Sequence, residues 1–367
     1  MKTFAALFLV LFLIQFNGKP CTTAVVSGKY TRDGRPLLWK NRDTHALNNK
    51  IVRFTDGKYM YAGLVNSTDT LNLSIWQGFN SAGFAIMNSA SYNLNNDTIE
   101  TSGFEGRLMK KALQSCATID EFETLLKEMD KPTRLEANFG VIDARGGAAY
   151  FELGNTGYTK IDANDPRIAP YGYIIRTNFS TTGEMGIGGV YIRYVTADRM
   201  MEMAVKERRL DAKTILQEGS RSLYHSLTHV NLNSYADIPS GHRTMVYFED
   251  FIPRRSTSSS TVVQGVKKGE DPVFTTMWTV LGWPLASVTI PVWLNEKTDL
   301  PEIMKFDDSI KDAPLCHWAL TAKKRCYPYT WGTSSMHYMD VNGLINADHT
   351  GTLQMIVPFE NRIFAKA

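Results

Sequence analysis

Cys21 is the residue whose position most invites chemistry. It follows a twenty-residue leader with two lysines, no acidic residue and an apolar run from Phe4 to Ile14. That arrangement has the n-region and h-region of a secretory signal, and removing it would make Cys21 the first residue of the mature chain. A terminal cysteine carries its own base: its α-amine, with a reference pKa of roughly 7.7 to 8.0, lies one bond from Cα and can take the thiol proton. The sulfur then becomes a nucleophile. Cysteines inside a chain lack that amine, and most are small buried hydrophobes. Lys19 and Pro20 stand where signal peptidase prefers small residues, so two steps are expected, a cut near Gly18 and then trimming or self-cleavage before Cys21. A lipid anchor is the rival use of such a cysteine, and Pro20 opposes it because lipid processing wants a small residue there.

Other chemistry-bearing groups show less. His225 and His229 in "YHSLTH" have i,i+4 spacing but no glutamate beside the first and no third ligand, so packed or solvent-facing histidines are expected and no metal is assigned. Gly186, Gly188 and Gly189 lack the lysine-hydroxyl ending of a phosphate loop, and nothing calls for a cofactor. Asn-x-Ser/Thr sequons begin at Asn66, Asn72, Asn96 and Asn178 and would matter in a eukaryotic secretory route. Cys116, inside "LMKKALQSCA", reads as a core thiol, and Cys316 with Cys326 is the pair to test for a disulfide in an exported chain.

The elements around these residues follow from periodicity and turn chemistry. "CTTAVV", "RPLLWK", "NKIVRF", "KYMYAGLV", "LNLSIWQGF" and "GFAIMNSAS" read as short strands, punctuated by Asp33-Gly34 and Asp56-Gly57. Helices are expected across "FEGRLMKKALQSC" and from Thr118, where Thr-x-x-Glu has capping-box form. Strands return in "EANFGVIDA", "GAAYFELG" and "GYIIRTNF", and residues 191–208 and 211–218 read as helices. Strands and helices thus segregate in runs, which predicts α+β architecture with antiparallel sheets covered by helices. Residues 254–268, rich in Ser, Thr and Arg, are expected to form an exposed connection and are the best candidate for a mobile lid. The apolar stretches "MWTVLGWPLASVTIPVW" and "GTLQMIVPF" suit a core or a pocket wall.

Charge narrows the partners. The 367 residues carry 40 basic and 37 acidic side chains, and losing Lys2 and Lys19 with the leader leaves 38 against 37. No concentrated basic surface is expected, so nucleic acid is an unsuitable partner. The leader's apolar run of 11 residues is too short to span a membrane, and the later stretch from Met277 to Leu294 is broken by Gly282, Pro284 and Pro291. The expectation is a leader over residues 1–20 and one domain over residues 21–367, exported to the periplasm or secreted, with homo-oligomerisation open.

The opening "CTTAVVSGKYTRDGRPLLWKNRD" resembles that of the N-terminal-nucleophile (Ntn) hydrolases acting on linear amides. The relatives concerned are the choloylglycine hydrolase and penicillin V acylase family, the acyl-coenzyme A:6-aminopenicillanic acid acyltransferase family, and cysteine dipeptidases. Shared are the initial Cys-Thr, the Asp-Gly hairpin and the basic-Asn-x-Asp tetrad Lys40-Asn41-Arg42-Asp43. "GFNSAGFAIMNSA" is similar to a G-x-N-x-x-G-x-A hairpin, and "IIRTNFS" to a Thr-Asn strand. The resemblance implies an αββα sandwich of two antiparallel sheets between helix layers. It also implies roles: Cys21 as nucleophile, Asp43 holding its amine, Asn178 in the oxyanion hole, and Lys40 where arginine usually stands. Asn88 is the choice for a second oxyanion donor, with Asn80 competing. Arg193 matches an arginine after the Thr-Asn strand, with Arg199 an equal competitor.

These readings converge on an exported cysteine amidase that cleaves a linear amide of a small molecule through a thioester, with acyl transfer to another amine as an option. A dipeptidase-type activity and a ligand-binding member without catalysis are the alternatives, the latter motivated by Lys40 and by the Lys19-Pro20 junction.

Overall fold

The computed structural model describes residues 21–295, 299–329 and 337–367, so the expected leader lies outside the described residues. β1 (Thr22–Val26) and β2 (Leu37–Asp43) are joined through Asp33-Gly34, where Gly34 has a φ of 76° that suits glycine. β3 (Asn49–Phe54), β4 (Tyr61–Asn66), β5 (Gln77–Asn80) and β6 (Ala85–Ala90) follow, then the helices α1 (Glu105–Ser115) and α2 (Ile119–Lys127). Thr118 caps α2, its hydroxyl accepting from Glu121 N at 3.2 Å as the sequence predicts. β7 (Ala137–Ile142), β8 (Ala148–Leu153) and β9 (Tyr158–Asp162) complete one sheet of seven strands, paired in chain order from β3 to β9.

The chain then enters a second sheet. β10 (Tyr173–Arg176) pairs with β1 before α3 (Tyr191–Lys206) and α4 (Ala212–Thr214), whose last turn widens into a π turn over Ile215–Gly219. β11 (Met245–Tyr247), β12 (Thr257–Gln264), β13 (Thr276–Leu281) and β14 (Ile290–Val292) follow, then α5 (Pro314–Lys323), β15 (Tyr338–Asp340) and α6 (Thr352–Lys366). The six-stranded sheet runs β10-β1-β2-β12-β13-β14, every pair antiparallel, and β11 with β15 forms a small ribbon.

Alternation along each strand shows how the layers stack. Val25, Leu38, Val263 and Met277 of the six-stranded sheet share a core with Ala62, Met87, Ile142 and Tyr150 of the other, so the sheets pack face to face. The opposite face of the seven-stranded sheet, with Ile86, Phe139 and Phe151, is covered by Leu108 and Ala112 of α1 and Phe122 of α2. The outer face of the six-stranded sheet, with Val26, Trp39 and Val262, is covered by Ala197 and Met201 of α3, with Phe364 of α6 beside them. The fold is the four-layer αββα sandwich. Among the described residues no helix is long and apolar enough to cross a membrane.

The lid expectation fails, and the cysteine pair left open is unbridged. Residues 254–268 are not a lid: Thr257–Gln264 is β12, fully buried except Gln264 and central between β2 and β13. Its hydroxyls find partners inside, Ser260 with Ser220 at 2.6 Å and with the Trp39 indole at 3.4 Å, so a Ser/Thr-rich composition does not force exposure. Cys316 and Cys326 are both thiols. The Cys316 sulfur accepts from Asn49 N at 3.3 Å, whereas Cys326 lies against Thr352 at 3.8 Å, so each is occupied elsewhere.

Candidate active site

Cys21 directly precedes β1 and is buried. Strand alternation puts its side chain on the face of Thr23 and Val25, toward the gap between the sheets. The pairing Thr22↔Asn41, carried one rung further, sets Cys21 opposite Arg42; the pairing Thr23↔Arg176, carried two rungs, sets it opposite Asn178. The sulfur therefore has a neighbouring strand on each side.

Lys40 and Arg42 point into the same gap as Leu38. The Lys40 ammonium donates to the Trp76 carbonyl at 2.8 Å and to Asn88 Oδ1 at 2.7 Å. Arg42 Nη1 donates to Asn49 Oδ1 at 2.7 Å, and its guanidinium lies 4.7 Å from the Trp76 ring centroid. Burial lowers Lys40 to about 8 and Arg42 to about 10, with the charge of a Cys21 thiolate acting in the opposite sense on both. Two buried cations thus bear on one sulfur. Arg42 went unassigned in the sequence reading, although its period-two spacing from Lys40 was the available signal.

The other face of β2 carries the acid. Asp43 alternates away from Arg42 toward the helices, where Oδ2 accepts from Arg193 Nη1 at 2.7 Å and Oδ1 from the Thr257 hydroxyl at 2.5 Å. A β-bulge makes the second contact: Thr257 pairs with Asp43 but Ser259 with Arg42, so Ser258 is an extra residue that turns Thr257 to the helix side. Burial raises the Asp43 carboxyl pKa, opposed by Arg193, Arg254 and the Thr257 hydroxyl. Arg193 is lowered to about 10 by burial, with Asp43 opposing, and its charge also senses Cys21. Arg199, the competitor, is exposed and bonds the Tyr224 hydroxyl at 3.0 Å.

Asn178 is buried, and its Nδ2 donates to the Ala90 carbonyl at 2.9 Å across the gap. Buried polar groups fix the segment that bears it: Asn138 Nδ2 donates to Phe179 O at 3.2 Å, Ser180 Oγ donates to Asn138 Oδ1 at 2.6 Å, and Glu152 accepts from Arg176 at 2.7 Å and from Thr181 N at 2.8 Å. Asn88 behaves differently. It alternates with Ile86 and pairs with Phe139, both of which face α1 and α2, yet its Oδ1 lies 2.7 Å from the Lys40 ammonium, which enters from the gap. Lys40 reaches it at the end of β5, beside Trp76, and because lysine only donates, the bonded atom is the amide oxygen. Asn88 thus anchors Lys40 through its amide oxygen, a contact that does not engage its Nδ2. Asn80 is no substitute, since its amide caps the Leu113 and Cys116 carbonyls at 2.9 and 2.7 Å. His225 and His229 make separate contacts, with Thr228 N at 3.2 Å and the Tyr224 hydroxyl at 2.8 Å.

A cavity of about 820 Å³ opens beyond the Asp43–Thr257 contact, starting at the next residues, Thr44 and Ser256. Its walls include Leu47, Glu249, Leu320, Lys323 and Tyr327 but not Cys21, Lys40 or Asn178. The cavity is a neighbour of the sulfur rather than its container.

A family model described as acyl-coenzyme A:6-aminopenicillanic acid acyl-transferase matches residues 30–279, more than half of the chain. Comparison with curated proteins gives no match. Among solved structures, a variant of the conjugated bile acid hydrolase of Clostridium perfringens is 14% identical, with a TM-score of 0.45 and coverage of 76% of this chain and 94% of that one. The N-acylethanolamine-hydrolyzing acid amidase ortholog of Caenorhabditis elegans is 16% identical, with a TM-score of 0.46 and coverage of 66% and 92%. The penicillin V acylase of Agrobacterium tumefaciens is 14% identical, with a TM-score of 0.39 and coverage of 78% and 89%.

Proposed function

The chain belongs to the acyl-coenzyme A:6-aminopenicillanic acid acyl-transferase family, and from that premise we propose that it is an exported enzyme that opens a linear amide with Cys21, once that residue has become the terminus. One observation carries the reading: Cys21 stands at the start of a central strand, register-opposite Asn178 on one side and Arg42 on the other, with Lys40 on the same face.

The α-amine takes the thiol proton as the sulfur attacks the carbonyl carbon. The negative charge passes to the carbonyl oxygen, to which Asn178 donates a hydrogen bond. Collapse breaks the carbon–nitrogen bond, and the α-ammonium returns its proton to the departing amine. A thioester remains on Cys21. Water opens it to the acid, or a second amine takes the acyl group. Lys40 and Arg42 favour anionic sulfur during attack, and the Asp43–Arg193 pair fixes the end of β2 beside the terminus.

The test is amine release from a panel of bile-salt conjugates, N-acyl amino acids, penicillin-like amides and short peptides, with the terminus of the purified protein read by intact mass. A mass beginning at Cys21, turnover of one class, and loss of more than about 100-fold in Cys21→Ser are the expected results, since the activated nucleophile is removed. Turnover by chains that still retain residues before Cys21 would overturn the proposal.

A further inference from the structure

Deepening the amidase reading, on which it rests, we propose that the cavity beyond Asp43 selects amides that carry a carboxylate on an apolar body, with Lys323 receiving that carboxylate and Arg255 assisting it. The walls are mainly apolar, with Leu47, Leu320 and Tyr327 among them. Three cations line it, Lys323, Arg255 and the exposed Lys324, and among the described residues none of them has a carboxylate within 4 Å. Lys323, at 7% exposure, donates to the Arg255 carbonyl and lies 5.7 Å from the Tyr327 ring centroid; the Arg255 guanidinium lies 5.3 Å from the same ring. The acid on the wall, Glu249, is already committed to Arg254 at 2.6 Å and to His337 at 2.8 Å.

A buried ammonium without a counter-ion is costly, and a bound carboxylate would supply one. Burial and the nearby Arg255 bring Lys323 down to about 7, and the charge of Asp43 opposes them, which ties this amine electrostatically to the neighbouring site. Leu320, Lys323 and Tyr327 all lie past residue 279, where the family match ends, so this selectivity belongs to the part of the chain outside that match.

Three probes separate the readings: N-decanoylglycine, with the carboxylate on the amine part; the N-methyl monoamide of decanedioic acid, with it on the acyl part; and N-decanoylglycinamide, with none. Wild-type protein is expected to prefer one carboxylate-bearing probe over the glycinamide by about tenfold or more in KM, as a charge-assisted hydrogen bond warrants. In Lys323→Met that ratio should fall to within about twofold, and Lys323→Arg should restore part of it. Equal KM values for all three probes in wild-type protein, or an unchanged ratio in folded Lys323→Met, would overturn the subsite. Equilibrium binding of the same probes to Cys21→Ala measures the preference without chemistry. A Lys323-dependent preference there, without turnover by wild type, would keep the subsite and remove the amidase reading.

Discussion

At the residue scale, the sulfur and the carboxylate are addressed from opposite faces of one strand. Lys40 and Arg42 approach through the gap between the sheets, whereas Asp43 turns to Arg193 on the helix side. Asn178→Ala should lower kcat by on the order of 100 to 1,000-fold with little change in KM, as for loss of an oxyanion donor; an effect confined to KM would give Asn178 another role. Lys40 sets the second expectation. Its ammonium is charged below about 8 and loses its proton as pH rises through that value, so kcat/KM should fall on the alkaline side of about pH 8. Lys40→Arg keeps the charge and should move that limb upward. Asn88→Leu removes an acceptor that favours the charged form, so it should move the limb down. A loss in Asn88→Leu that is uniform in pH would instead support the oxyanion role that the resemblance implies for Asn88. That Cys21, Asn178 and Lys40 share one face was legible in the sequence because motif and strand period agree there, whereas Asp43, expected to hold the Cys21 amine, is bonded to Arg193 and Thr257. The contact of Asn88 with Lys40 was not legible, because its place in a hairpin motif says nothing of which face it takes, and Arg42 has only its period-two spacing from Lys40 as a signal.

At the scale of elements, the Asp43–Arg193 pair joins β2 to the first turn of α3, with both side chains fully buried. Asp43→Asn strands a buried guanidinium and should cost roughly 3–5 kcal/mol in urea unfolding, while Asp43→Asn with Arg193→Met should recover much of it. Additive losses would mean that the pair is not the unit. Ahead of this turn, Val190 has a φ of 76°, a left-handed conformation poorly suited to a β-branched side chain, between Gly189, the bridge partner of Asn178, and α3. Val190→Gly should therefore raise stability by roughly 0.5–1 kcal/mol, the relieved strain exceeding the added unfolded-state entropy. Helix α2 was legible from its Thr118 cap, and α1 and α3 from the helical pattern of their residues. β12 was not, because a strand buried on both faces lacks alternation, and its internal hydroxyl pairs can be recognised only once the partner strands are placed.

At the scale of the whole molecule, two sheets and two helix layers bring Cys21 near segments more than 150 positions away, with Asn178 register-opposite and Arg193 within electrostatic reach. The last helix closes the outer layer through Glu360, which accepts from Arg221 and, at 2.9 Å, from Thr289 N. The sequence marked "GTLQMIVPF" only as core or pocket wall; Pro358 within it masks a helix that tertiary packing sustains. Glu360→Gln should cost roughly 3 kcal/mol or more by leaving Arg221 buried without its anion. Thermal unfolding of that variant, compared with an exposed control such as Glu302→Gln, checks it.

The environment of Asn178 bears on how the protein can be made. Asn178-Phe179-Ser180 is an acceptor tripeptide, yet in the finished fold that amide has no room for a sugar and is bonded to Ala90 O. In a recombinant host whose translocation machinery attaches oligosaccharide to the nascent polypeptide, glycan transfer and strand docking would compete for the same nitrogen. Molecules modified first would be barred from the native state, and a bacterial producer avoids that kinetic race.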